Sequence, residues 1–136
     1  MTNALEGGCL CGAVRYRISA DPLAQSLCHC RSCRLAAGAS PVAWLVLPTA
    51  GFSFTLGEPI RFKSSSEAER TFCGTCGTAL TYRDSTSLLS VDVTACSLDR
   101  PAAFVPTREI WVTHRLPWLP PLAGLAQFEE GSSRGA

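Results

Sequence analysis

The sequence predicts a mainly β domain, built of short antiparallel strands and stapled by metal. Short apolar or alternating runs bounded by Gly and Pro recur along the chain, and helical periodicity is almost absent. Seven of the eight cysteines fall into a pair, a triplet and a pair: Cys9 and Cys11, then Cys28, Cys30 and Cys33, then Cys73 and Cys76. A chain of 136 residues makes one modest core, and sheets of this size call for a staple.

Composition narrows the function classes. Hydrophobic residues make up 46% and charged residues 17%, which is a globular balance. Net charge is +1, Lys63 is the sole lysine, and no segment gathers a basic stripe, so no nucleic-acid partner is expected. Met1 to Glu6 carries neither a basic start nor an apolar run, and no later stretch is long enough to span a bilayer. The expectation is a cytoplasmic protein without a membrane partner. In a reducing compartment, clustered cysteines point to metal rather than to disulfides.

In chain order, residues 1–6 are expected to be a flexible arm, 7–128 a zinc-binding β domain and 129–136 a disordered tail. Gly8-Cys9-Leu10-Cys11-Gly12 sets two thiols between glycines, which allow the backbone to fold closely around an ion. Val14, Tyr16 and Ile18 alternate with Arg15, Arg17 and Ser19, the pattern of a half-buried strand. Leu23 to Leu27 leads into the triplet, Arg34 to Ala37 makes one helical turn, and Gly38 ends it. Val42 to Leu47 is an apolar run between prolines, read as a buried strand around Trp44. Short strands follow at 52–55 and 60–63, then a polar loop from Ser64 to Glu69. Cys73-Gly74-Thr75-Cys76-Gly77 lies between strand-like flanks, which favours a zinc knuckle over a redox pair opening a helix. Strands are expected at 88–93 and 108–112. Cys96 reads as a small buried hydrophobe, and Trp118 is expected to fold its proline-rich segment back onto the body.

A structural zinc prefers four thiolates, and the simplest partition unites Cys9 and Cys11 with Cys73 and Cys76. Cys28, Cys30 and Cys33 then form an incomplete set with one open position, the mark of a reactive zinc. A second partition closes the triplet with Cys96 or His114, making both sites structural. His29 lies between two ligands, and its side chain is expected to project away from the metal face. Arg31 and Arg34 are candidate forks for the carboxylates of an acidic thiol. Gly38-Ala39-Ser40-Pro41 offers a small-residue floor beneath a ligand.

These motifs resemble the glutathione-dependent formaldehyde-activating enzyme family, which includes proteins named after centromere protein V. The resemblance rests on Gly8-Cys9-Leu10-Cys11-Gly12, Cys28-His29-Cys30-Arg31-Ser32-Cys33, Gly38-Ala39-Ser40-Pro41, Phe72-Cys73-Gly74-Thr75-Cys76-Gly77 and Ser97-Leu98-Asp99, and it runs from about Gly7 to Trp118. It implies a tent-like all-β fold with two Zn2+ ions. Cys9, Cys11, Cys73 and Cys76 would hold a structural ion, and Cys28, Cys30 and Cys33 a catalytic one. The activity it implies is a carbon–sulfur lyase that joins or releases a small aldehyde, formaldehyde in the type reaction, and a thiol such as glutathione. A non-enzymatic, zinc-stapled binding module for a protein partner is the alternative from another class.

Overall fold

In the computed structural model, which describes residues 4–131, the expected alternation of strand and turn is observed. The elements are β1 (Leu5–Gly8), β2 (Arg15–Ile18), β3 (Ala24–Cys28), α1 (Arg31–Ala37), β4 (Val42–Pro48), β5 (Phe52–Leu56), β6 (Ile60–Ser65), β7 (Ala68–Phe72), β8 (Ala79–Asp84), β9 (Ser90–Thr94), β10 (Arg108–Ile110) and β11 (Ala126–Gln127). Strands β1, β2 and β5 make a small antiparallel sheet. The other eight form one sheet in the order β11-β10-β3-β4-β9-β8-β7-β6. It is mixed rather than wholly antiparallel, because β10 runs parallel to both β3 and β11. A strand that returns to its neighbour after a long connection has no hairpin to dictate direction.

Strand β4 divides the molecule. Its sequence is an unbroken apolar run because both of its faces are covered. Leu45 and Leu47 join Tyr16 and Ile18 of the small sheet, with Leu80 and Val93, in the main core. Burying each such side chain is worth about 1.5–3 kcal/mol, so this core fixes one sheet upon the other. Val42 and Trp44 face the opposite way and pack with Cys28, Cys33 and Ile110. Register places Cys28, Val42 and Ile110 side by side on β3, β4 and β10.

Ser97-Leu98-Asp99 latches the small sheet. Ser97 Oγ lies 2.6 Å from the Tyr16 hydroxyl, Asp99 pairs with Arg15, and the Asp99 amide donates to the Glu6 carbonyl at 2.9 Å. Gly7 permits this closeness, since a Cβ there would come within 2.4 Å of the Tyr16 hydroxyl.

Several elements differ from the sequence expectation. Helix α1 begins three residues early, at Arg31, because the Cys30 sulfur accepts the Cys33 amide as an N-cap. Gly38, in the left-handed region at φ 67°, ends it by donating to the Arg34 carbonyl. Ser64 to Glu69 is no loop: β6 and β7 continue through it to a tight turn. Its polar composition fits β6, an edge strand exposed along its whole length. Cys96 is exposed, since the short 3-10 turn Ala95–Ser97 points Ala95 inward instead. Trp118 is 71% exposed; the proline-rich segment is held through the Leu122 amide rather than through an aromatic anchor. Leu5 and Glu6 already belong to β1, and the carbonyls of Glu129 and Glu130 accept amides from Thr113 and Trp111. Residues 1–3 and 132–136 of the expected arm and tail lie outside the described residues.

Candidate functional site

Cys9 and Cys11 sit in the turn from β1 to β2, and Cys73 and Cys76 in the turn from β7 to β8. Their four sulfurs lie within 4.8 Å of one another. The Cys9–Cys11 and Cys11–Cys73 sulfur separations are 3.6 and 3.8 Å. A tetrahedral centre with metal–sulfur bonds of ~2.3 Å has edges of about 3.8 Å, so this donor set fits a metal ion. Backbone amides turn toward the sulfurs: Val14 donates to Cys9 at 3.2 Å, and Thr75 and Cys76 to Cys73 at 3.3 and 3.4 Å. Such donors stabilise thiolates. Thr78 ties the two turns together, accepting the Leu10 amide at 3.0 Å and touching the Cys76 sulfur at 3.3 Å. Its hydroxyl, followed by its backbone amide, draws the Cys76 thiol down to about 5.

The second group lies on the other face of β4. Cys28 ends β3, Cys30 caps α1, and Cys33 occupies the first turn of that helix, with all three sulfurs within 4.8 Å. The Cys33 amide donates to Cys30 Sγ at 3.3 Å, and Arg70 Nη2 to Cys33 Sγ at 3.7 Å. Hydrogen bonds from the Cys28 and Cys33 thiols hold Cys30 far below the ordinary thiol value, while its place beside Cys30 pushes Cys28 far up. One thiolate is therefore accommodated, and its neighbours resist ionising beside it. A cation among them removes that conflict, so this set also fits a metal ion. Neither Cys96 nor His114 joins the trio among the described residues. His114 Nδ1 instead accepts the Arg31 amide at 3.1 Å.

Behind the trio is a polar anchor. His29, between Cys28 and Cys30 in the chain, is 1% exposed, and its Nε2 lies 2.7 Å from Glu109 Oε1. Glu109, equally buried, also accepts from Arg115 (3.1 Å), the Leu122 amide (2.9 Å) and Gln127 (2.9 Å). Burial alone would raise its carboxyl. The bonds from Gln127, His29 and Leu122, with the Arg115 charge, outweigh this and bring it down to about 2. The pairing fixes the ring between Cys28 and Cys30 and ties the C-terminal segment to the back of the site.

In front of the trio opens a cavity of about 330 Å3, lined by the three cysteines with Arg31, Arg70, Tyr82, Trp111 and His114. The Arg70 guanidinium lies 4.9 Å from the centre of the Tyr82 ring, which orients it. Trp111 holds a left-handed backbone (φ 56°), uncommon for a bulky residue, and its ring lies 5.3 Å from that of His114. Of the residues expected to meet substrate, Arg31 lines this cavity. Arg34 lies on the last turn of α1, and Gly38 serves as its C-cap. Ala39 and Pro41 line a different cavity, beside Cys76 and Cys96, rather than a floor beneath the trio. Sequence reasoning missed Arg70, Trp111 and Glu109. The β7–β8 register that brings Arg70 opposite Tyr82 had no local signature.

The sequence model of the glutathione-dependent formaldehyde-activating enzyme family matches residues 4–114, and the chain belongs to that family. It is 34% identical over 84 residues to an uncharacterized lyase of Schizosaccharomyces pombe, covering 57% of this chain and 56% of that protein. The chain thus spans little more than half of that relative. The fold is similar to a crystal structure of a Rhodobacter sphaeroides protein, with a TM-score of 0.58 at 18% identity, covering 90% of this chain and 98% of the other.

Proposed function

We propose that this family member is a zinc-dependent carbon–sulfur lyase acting in the cytoplasm. It joins or releases a small aldehyde and a thiol such as glutathione. The family and a relative named as a lyase support the reaction class. The observation that carries the reading is the contrast between the two thiol groups. Four donors close one centre, whereas three donors face a cavity in the other. The first set would hold a structural Zn2+ and the second a Zn2+ with a position open to substrate. When bound there, zinc supplies Lewis acidity, favouring the anionic form of a thiol or hydroxyl brought close to it.

The remaining work falls to the chain. Release breaks the S–C bond of the hydroxymethyl thioether. The oxygen lone pair becomes the carbonyl bond, the bonding pair returns to sulfur, and the hydroxyl proton ends on that sulfur. Nothing is oxidised or reduced. His114 accepts the Arg31 amide at Nδ1, so its neutral ring carries a proton at Nε2 and can pass a proton on the cavity wall. Arg31 and Arg70 offer their guanidinium groups to the carboxylates of an acidic thiol. Trp44 and Trp111 pack against the trio as its apolar surround.

The test compares rates, since thiols add to formaldehyde without help. Exchange between formaldehyde and S-hydroxymethylglutathione, followed by NMR, quickens with wild-type protein and returns to background with Cys30→Ser. A folded, zinc-loaded wild type that leaves the background rate unchanged with formaldehyde and with larger aldehydes alike refutes the lyase and leaves the binding module.

A further inference from the structure

The trio's cavity is not the whole of the space in front of it. A second cavity of about 570 Å3 shares its wall, since Arg31, Ser32, Trp44, Ser64 and Arg70 line both. The two differ in chemistry. The first alone holds the cysteines, Asp92 and His114, while the arginines lie on the shared wall. The second runs between α1 and the outer strands of the large sheet, and beyond the shared wall it is mostly apolar, with Leu35, Ala36, Phe62, Phe72 and Ala79 beside Thr71 and Thr81.

Two of those residues stand out. Leu35 on α1 is 56% exposed and Phe62 on edge strand β6 is 59% exposed, and both line this one cavity. Register puts Phe62 beside Arg70, and Arg70 beside Tyr82, so the apolar space begins next to the arginine that reaches Cys33. The volume lies in the range of ~300–1,000 Å3 typical of ligand pockets. A one-carbon aldehyde is of the scale of a water molecule, with its share of roughly 30 Å3 of liquid. Glutathione is polar along its length and matches the first cavity, which carries the trio, Asp92 and His114 beside the shared arginines. With glutathione in the first cavity, a one-carbon aldehyde would leave most of the 570 Å3 of the second empty.

Resting on the lyase reading, we propose that this second cavity receives an apolar substituent on the aldehyde carbon. The preferred substrates are then thiohemiacetals of aryl or medium-chain alkyl aldehydes rather than of formaldehyde. The chemistry is unchanged: the S–C bond breaks, the oxygen pair forms the carbonyl, and the hydroxyl proton ends on sulfur. Specificity lies in Leu35, Phe62 and Phe72, which cover the substituent, while the arginines hold the ionic thiol.

Unreactive thioethers separate binding from reaction. Titration calorimetry of the metal-loaded protein with S-methyl-, S-hexyl- and S-benzylglutathione is expected to give at least tenfold tighter binding of the latter two. In the double variant Leu35→Ser/Phe62→Ser the preference falls below threefold. Both positions are exposed, and circular dichroism verifies that the fold is kept. Equal affinity across the three thioethers, or a preference untouched by the double variant, overturns the proposal. Exchange rates with benzaldehyde, hexanal and formaldehyde complete the test, and the two aromatic or alkyl aldehydes are expected to be favoured at least tenfold. Catalysed formaldehyde exchange with a flat thioether series removes the apolar subsite and keeps the lyase. A clear thioether preference with no exchange of any aldehyde removes the lyase and keeps the subsite.

Discussion

Replacing Cys73 by Ser tests the four-thiol centre most directly. Cys11 and Cys73, 62 residues apart, meet at 3.8 Å, and closing a loop of that length costs about 4 kcal/mol of chain entropy. A four-thiolate zinc returns ~10–16 kcal/mol, which leaves a net gain of roughly 6–12 kcal/mol. Whole domains are stable by only ~5–15 kcal/mol, so with zinc bound there most of the margin of this fold would pass through one ion. Serine does not ionise near neutral pH, and the three remaining thiolates hold the metal weakly. Cys73→Ser is therefore expected to be insoluble, or unfolded by circular dichroism at 25 °C. Cys30→Ser, on the opposite face of β4, should stay folded and carry one zinc per chain by elemental analysis, against two in wild type. A folded Cys73→Ser protein melting within about 5 °C of wild type refutes the reasoning, because such a shift is worth only ~1–2 kcal/mol at this size. Equal loss of fold in both variants refutes the division of roles.

Arg70→Met should weaken binding of glutathione about tenfold while sparing a neutral thiol such as 2-mercaptoethanol; equal losses would remove Arg70 from carboxylate recognition. Glu109→Ala leaves His29, Arg115 and the Leu122 amide without their shared acceptor. It is expected to cost about 3–5 kcal/mol in urea unfolding, and a loss under ~1 kcal/mol contradicts the anchor. Since the Glu109 carboxyl is held at about 2 against an ordinary 4.5, its contribution is complete above pH 4.5 and fades as pH falls toward 2. The stability gap between wild type and Glu109→Gln should narrow over that window, and a gap that stays constant would show the carboxylate is not the source. Gly57 sits at φ 71°, where a Cβ would come within 2.1 Å of the Ala13 carbonyl oxygen. Gly57→Ala should lower stability by about 2–3 kcal/mol, and an unchanged melting temperature would refute the close approach.

What the sequence determined by itself is local. Thiols two or three residues apart can reach one ion whatever the rest of the chain does, so the pair, the triplet and the knuckle were legible. The unbroken run Val42–Leu47 likewise announced a strand covered on both faces, and Val14, Tyr16 and Ile18 announced a single buried face. Both open partitions joined Cys9 and Cys11 to Cys73 and Cys76, and they differed in whether Cys96 or His114 closes the triplet; geometry brought the four together and left the trio as three. The tertiary structure alone decided everything that depends on strand register. Arg70 reaches Cys33 because β7 lies two strands beyond β9, and Glu109 reaches His29 because β10 returns parallel to β3. Exposure followed the same rule: Cys96 and Trp118 read as buried by residue type, yet their backbones point them outward. Residue type sets what a side chain prefers, but only packing among segments distant in the chain decides which preferences are met.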